Sequence, residues 1–204
     1  MNKLNQFLRR VPVWVVYLLG LLPGPWLFYL GLTGGLGVEP IEALEHEYGE
    51  LALQLLILGL AVSPLRRLVG LNLMKFRRAI GVLTVCYAGF HLLVWLVLDV
   101  QVPAQIWADI LKRPYVTIGM AAFVLLLPLG LTSNNASVRR LGAAWRQLHR
   151  LVYPAAVLAG LHYVMVAKGF QIEPLLYLLA ICALLLSRLP VPRHPFVRRS
   201  SDSA

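Results

Sequence analysis

The chain has 204 residues, of which 59% are hydrophobic and 14% charged, with a formal net charge of +10 and a mean hydropathy of +0.72. Soluble domains carry about 25% charged residues, so this chain lacks the polar surface needed to face water. Its positive charge does not point to nucleic acid, because the basic residues fall in short clusters between long apolar runs rather than on one folded face.

Six apolar stretches follow in chain order: 11–33, 49–64, 79–97, 114–133, 148–167 and 174–189. A span needs roughly 20 apolar residues, and backbone groups in lipid must be satisfied within the segment, so each stretch predicts a helix. Pro23 and Pro25 predict a kink or break in the first span. The Gly31–Gly37 run looks superficially like a dinucleotide loop, but it follows a membrane helix and reads as a helix end. Pro114 and Pro174 stand where helices are expected to begin, a position that loses no hydrogen bond. The first run has no Ala-x-Ala-like cleavage site after it. Cys86 and Cys182 lie inside apolar runs and, with no further cysteine, form no zinc or iron–sulfur pattern.

The expectation is therefore an all-α integral membrane protein with a six-helix transmembrane domain over 1–190 and a basic, disordered tail over 191–204. Sixteen of the nineteen basic residues fall on one side of the spans, in four groups: Lys3 to Arg10, Arg66 to Arg78, Arg139 to Arg150, and Arg188 onwards. The other side carries Lys112, Arg113 and Lys168, with eight of the nine acids. An excess of Lys and Arg marks the cytoplasmic side, so both termini are expected there. Glu39, Glu42, Glu45, Glu47 and Glu50 are expected in an acidic loop on the opposite face, with the spans essentially free of carboxylates. The five tryptophans mostly sit near predicted membrane boundaries, where interfacial anchoring explains them.

His46 and His194 are expected in solvated segments. His91, His149 and His162 are different, since an ionisable group inside a span is costly and marks function by default. His91 lies in the third span, and His149 and His162 lie in the fifth. Neutral imidazoles from facing helices suit six-coordinate haem iron, which transfers electrons rather than binding oxygen. His149 and His162 are 13 residues apart, about 20 Å along a helix, which fits two centres stacked through a core about 30 Å thick. His91 and His162 are expected at similar depth, gripping one haem between helices three and five. Arg77 matches the depth of His149 and stands on nearly the same face as His91. Two roles stay open for it: partner of a second haem, or marker of the membrane boundary. Thirteen residues also leave His162 roughly 140° from the face of His149, and Pro154 is the expected place for a shift of phase. Lys112 and Arg113 offer charge to a haem propionate or to headgroups.

The stretches Arg77-Arg78-Ala79-Ile80-Gly81, Tyr87-Ala88-Gly89-Phe90-His91, Lys112-Arg113-Pro114-Tyr115 with Gly119, Trp145-Arg146-Gln147-Leu148-His149-Arg150, and Leu161-His162-Tyr163 resemble the MsrQ (YedZ) haem-binding membrane subunits. These belong to the ferric-reductase-like transmembrane group. The resemblance runs along nearly the whole chain. It implies a multi-pass protein of the bacterial inner membrane with one or two b haems, and FMN as a further cofactor. The implied partner is MsrP, a periplasmic molybdopterin enzyme that reduces methionine sulfoxide in oxidised proteins. The implied donor is quinol or a reduced flavin supplied by a cytoplasmic flavin reductase, and membrane lipid surrounds the subunit. Related oxidases carry a cytoplasmic dehydrogenase domain, for which the short tail here leaves no room, so a separate donor is expected. The alternatives are a proton-relay transporter, which usually pairs histidines with intramembrane carboxylates, and a cofactor-free membrane anchor.

Overall fold

A computed structural model describes residues 2–167 and 170–188. Lys168, His194 and the tail after residue 188 lie outside the described residues, and with them the expected boundary at 190. The described chain is built of helices and turns: α1 (Asn2–Arg10), α2 (Val13–Leu21), α3 (Pro23–Leu32), α4 (Pro40–Pro64), α5 (Arg77–Val94), α6 (Pro103–Lys112), α7 (Pro114–Leu131), α8 (Asn135–Leu141), α9 (Ala143–Leu148), α10 (Val152–Val166) and α11 (Ile172–Leu186). Four helical runs are long and apolar enough to cross a membrane: Val13–Leu32, Pro40–Val69, Met74–Val100 and Pro114–Leu131. The two remaining expected spans correspond to α10 and α11, which are shorter at 15 residues each. α11 turns large apolar side chains outward as the longer helices do: Leu179 is 64% exposed, against 59% for Val124 of α7. Apolar side chains turned outwards on this scale need lipid rather than water around them.

The first span breaks where its prolines predict. The helix is interrupted at Leu22, between α2 and α3, since Pro23 and Pro25 have no N–H to give to the preceding turn. Two tyrosines hold the carbonyls on either side of this interruption from neighbouring helices. Tyr87 of α5 donates its hydroxyl to the Gly20 carbonyl at 2.7 Å, and Tyr48 of α4 donates to the Gly24 carbonyl at 2.7 Å. The glycine run after α3 is a turn, with Gly34 and Gly37 at φ of 80° and 91°, which only glycine adopts without strain.

The acidic segment departs from expectation. It is helix from Pro40 onward, not loop, so Glu42, Glu45, Glu47 and Glu50 ride on α4. Nor is this span free of carboxylates. Glu50 accepts hydrogen bonds from Tyr177 of α11 at 2.9 Å and from Gln54 at 2.7 Å. Four short helices were also not expected, α1, α6, α8 and α9. Lys75 caps the end of α1 by donating to the carbonyls of Arg9 and Val11 at 2.8 and 2.7 Å, as a cation at a helix C-terminus should.

Helix α4 is the hub, packing against α3, α5, α10 and α11, while α7 packs against α5 and α10. Leu53, Leu56 and Leu60 of α4 meet Leu126 and Leu129 of α7, Ala155 and Ala156 of α10, and Ile181 of α11 in one buried cluster. The alanines and Gly160 let α10 approach closely: a Cβ on Gly160 would stand 3.0 Å from Ile181 and Leu178 side-chain atoms. Small residues at such crossings are how helices pack in lipid.

Candidate functional site

His91 lies near the end of α5, and His162 near the end of α10. Their ring centroids are 6.0 Å apart, with planes at 75°. Metal–imidazole bonds of about 2 Å on either side of one iron put two such centroids roughly 6 Å apart. The spacing therefore fits a single iron shared by the two rings.

Each ring is held from a different helix. His91 Nδ1 lies 2.9 Å from the Glu45 carbonyl of α4, and His162 Nδ1 lies 2.8 Å from the Tyr115 carbonyl of α7. A carbonyl only accepts, so in both rings Nδ1–H donates. The neutral ring then keeps its lone pair on Nε2, the nitrogen left to bind a metal. Glycines make room for both imidazoles. A Cβ on Gly49 of α4 would stand 3.0 Å from His91 Nδ1, and one on Gly119 of α7 would stand 2.7 Å from His162 Nδ1.

His149 sits elsewhere, in a 3-10 turn (His149–Leu151) that joins α9 to α10. Its Nδ1–H donates to the Trp145 carbonyl at 3.1 Å, and its ring stacks on the Trp145 indole at 3.8 Å and 26°. Nε2 is buried and makes no hydrogen bond. The Leu129 carbonyl of α7 lies close to the ring and accepts from Ser133 Oγ at 2.6 Å. The charge on Arg77, the first residue of α5, also acts on this imidazole. The shift of helical phase expected at Pro154 falls instead at the 3-10 turn, and Pro154 lies harmlessly in the first turn of α10. Each 3-10 residue turns the chain by about 120° rather than 100°, which narrows the angular gap between His149 and His162 to roughly 80°.

Other expected positions have plainer surroundings. His46 is exposed on α4, with its ring edge-on to Tyr163 at 5.8 Å. Arg113 pairs with Asp109 at 3.2 Å and donates to the Tyr115 hydroxyl at 3.3 Å. It thus ties α6 to the turn that carries the carbonyl receiving His162. Sequence reasoning placed Glu45 in an acidic loop, gave no role to Gly49, Tyr115 or Gly119, and assigned Trp145 to the membrane boundary. Tyr115, Gly119 and Trp145 do stand inside the family-like stretches, and that was the signal available for them.

The sequence profile described as "Ferric reductase like transmembrane component" matches residues 48–160, which takes in Gly49, Arg77, His91, Tyr115, Gly119 and His149. A protein of Agrobacterium fabrum (strain C58), "Protein-methionine-sulfoxide reductase heme-binding subunit MsrQ", is 45% identical over 189 residues, covering 92% of this chain and 88% of that relative. Proteins of the same name from Brucella ovis and Brucella suis are each 45% identical over 196 residues, covering 94% of this chain and 89% of theirs. No solved structure matches. The chain belongs to the ferric-reductase-like transmembrane family and, within it, to the MsrQ haem-binding subunits.

Proposed function

We propose that this chain is a b-type haem electron-transfer subunit of the bacterial inner membrane, serving a methionine sulfoxide reductase. The observation that carries the reading is the facing pair His91 and His162. Both rings have Nδ1–H spent on a carbonyl from another helix, and their centroids are separated by 6.0 Å. Haem held by His91 and His162 would supply a one-electron carrier. The residues supply the rest. Glu45 and Tyr115 fix the tautomer and aim of each imidazole, and Gly49 and Gly119 leave the space that the rings occupy.

His149 is the ligand proposed for a second haem. Its buried Nε2 lacks a hydrogen bond, and Arg77 is the residue proposed opposite it. In this arrangement six helices cross the membrane, α10 and α11 among them, and both termini are cytoplasmic. The basic clusters support that orientation. Haem held at His149 and at His91–His162 would supply one-electron carriers, with quinol or a reduced flavin on the cytoplasmic side as the proposed donor and a periplasmic molybdopterin reductase of the MsrP kind as the proposed acceptor. The reductase partner is supported by the names of the relatives at 45% identity; FMN rests on the family resemblance alone.

The test is a reduced-minus-oxidised visible spectrum of detergent-purified protein, with pyridine extraction to type and count the haem. One or two b haems per chain is the expected result. A colourless protein after expression with ample haem would overturn the reading.

A further inference from the structure

Among the ring pairs of the described residues, one stands apart. Trp145 and His149 lie 3.8 Å apart and nearly parallel, whereas the other pairs lie between 5.5 and 6.0 Å. Three further contacts involve the same tryptophan. Its carbonyl accepts the ring Nδ1–H of His149 at 3.1 Å and also the His149 backbone N–H. Its indole Nε1–H donates to the Thr132 carbonyl at 2.9 Å, which anchors the indole to the end of α7. One face of His149 is thus closed by a ring that cannot itself turn away, and the proton position is fixed. Nε2 is left buried and without a hydrogen bond. An unsatisfied buried nitrogen is costly, and such a state persists where the surroundings over-determine it.

We infer that Trp145 is a positioning residue for iron bound at His149, holding the imidazole by stacking on its face and by its own carbonyl at Nδ1. The inference rests on the reading of His149 as a haem ligand. A merely structural tryptophan would need only the bond to Thr132, which stitches α9 to α7. The stack adds an electronic consequence, because the electron-rich face of an indole favours the more positive ferric state of a ligated imidazole. Loss of the indole should therefore raise the midpoint potential of that haem.

The experiment compares Trp145→Phe, Trp145→Ala and His149→Ala in the full chain, purified with its haem. The readouts are haem per chain, low-spin electron paramagnetic resonance and a potentiometric titration. Trp145→Phe keeps a ring but loses the indole N–H, and should retain both haems with one component shifted upward in potential. Trp145→Ala should lose the component that His149→Ala loses, while the His91–His162 component keeps its signature and so reports intact folding. If Trp145→Ala loses all haem, Trp145→Phe decides alone, and an unshifted potential there overturns the inference. If both tryptophan variants match the wild type while His149→Ala loses a component, the role of Trp145 is wrong and the ligand reading stands. If His149→Ala itself changes nothing, the ligand reading falls and the inference falls with it.

Discussion

Gly119 is the floor beneath His162: a Cβ built on it would stand 2.7 Å from ring Nδ1 and 2.8 Å from Cε1. Real Cβ atoms do not approach so closely, so an alanine there must push the imidazole or spread α7 from α10. The ring also hangs from the Tyr115 carbonyl, one turn earlier on the same helix, and cannot move without loosening that bond. Gly119→Ala should therefore lower haem content severalfold, read as haem per chain. Gly49→Ala, where the approach to His91 is 3.0 Å, should cost less. Unchanged haem in Gly119→Ala would mean the site is not as tight as the geometry states.

His91→Ala and His162→Ala should each lose the same haem. If one iron is shared, the two variants have matching difference spectra, and the double variant loses nothing further. Either variant keeping full haem content and normal reducibility would break the pairing.

Tyr48→Phe and Tyr87→Phe separate fold from site. Each removes one hydroxyl from the carbonyls of the broken first span, a loss of about 1 kcal/mol. Thermal unfolding in detergent should shift down by a few degrees for each, with the haem spectrum unchanged. A change in the spectrum would show that these contacts to the first span reach the haem.

Arg188 tests the opposite end of the bundle. It donates to the Leu60 carbonyl, lies 5.4 Å from the centre of the Tyr153 ring and reaches that hydroxyl at 3.3 Å. Arg188→Met keeps much of the stem but drops these polar contacts between α4, α10 and the end of α11. Stability should fall by about 1–3 kcal/mol, since hydrogen bonds to charged groups are the stronger kind. Equal unfolding temperatures for the variant and wild type would contradict this.

The histidines and long apolar runs were legible in the sequence because both are properties of residue type and local period. So was the break at Pro23 and Pro25, since a missing N–H acts within one turn. The anchoring carbonyls of Glu45 and Tyr115 were not legible. Every residue has a carbonyl, and these two lie 46 and 47 positions from their histidines. The early start of α4 was hidden because its first turns carry glutamates, which an apolar-run reading takes for loop. α1 and α6 are too short and too amphipathic to register as spans. The phase shift was assigned to Pro154 because proline is visible in a sequence, whereas a 3-10 turn at His149 is not.

The carbonyls that hold the imidazoles have a consequence for assembly. His91 clips α5 to α4, and His162 clips α10 to α7, with bonds wholly internal to the polypeptide. The helices must therefore assemble in the right register for either ring to be aimed: a shift of α4 along α5, or of α7 along α10, would turn an imidazole although no side chain of the site had changed.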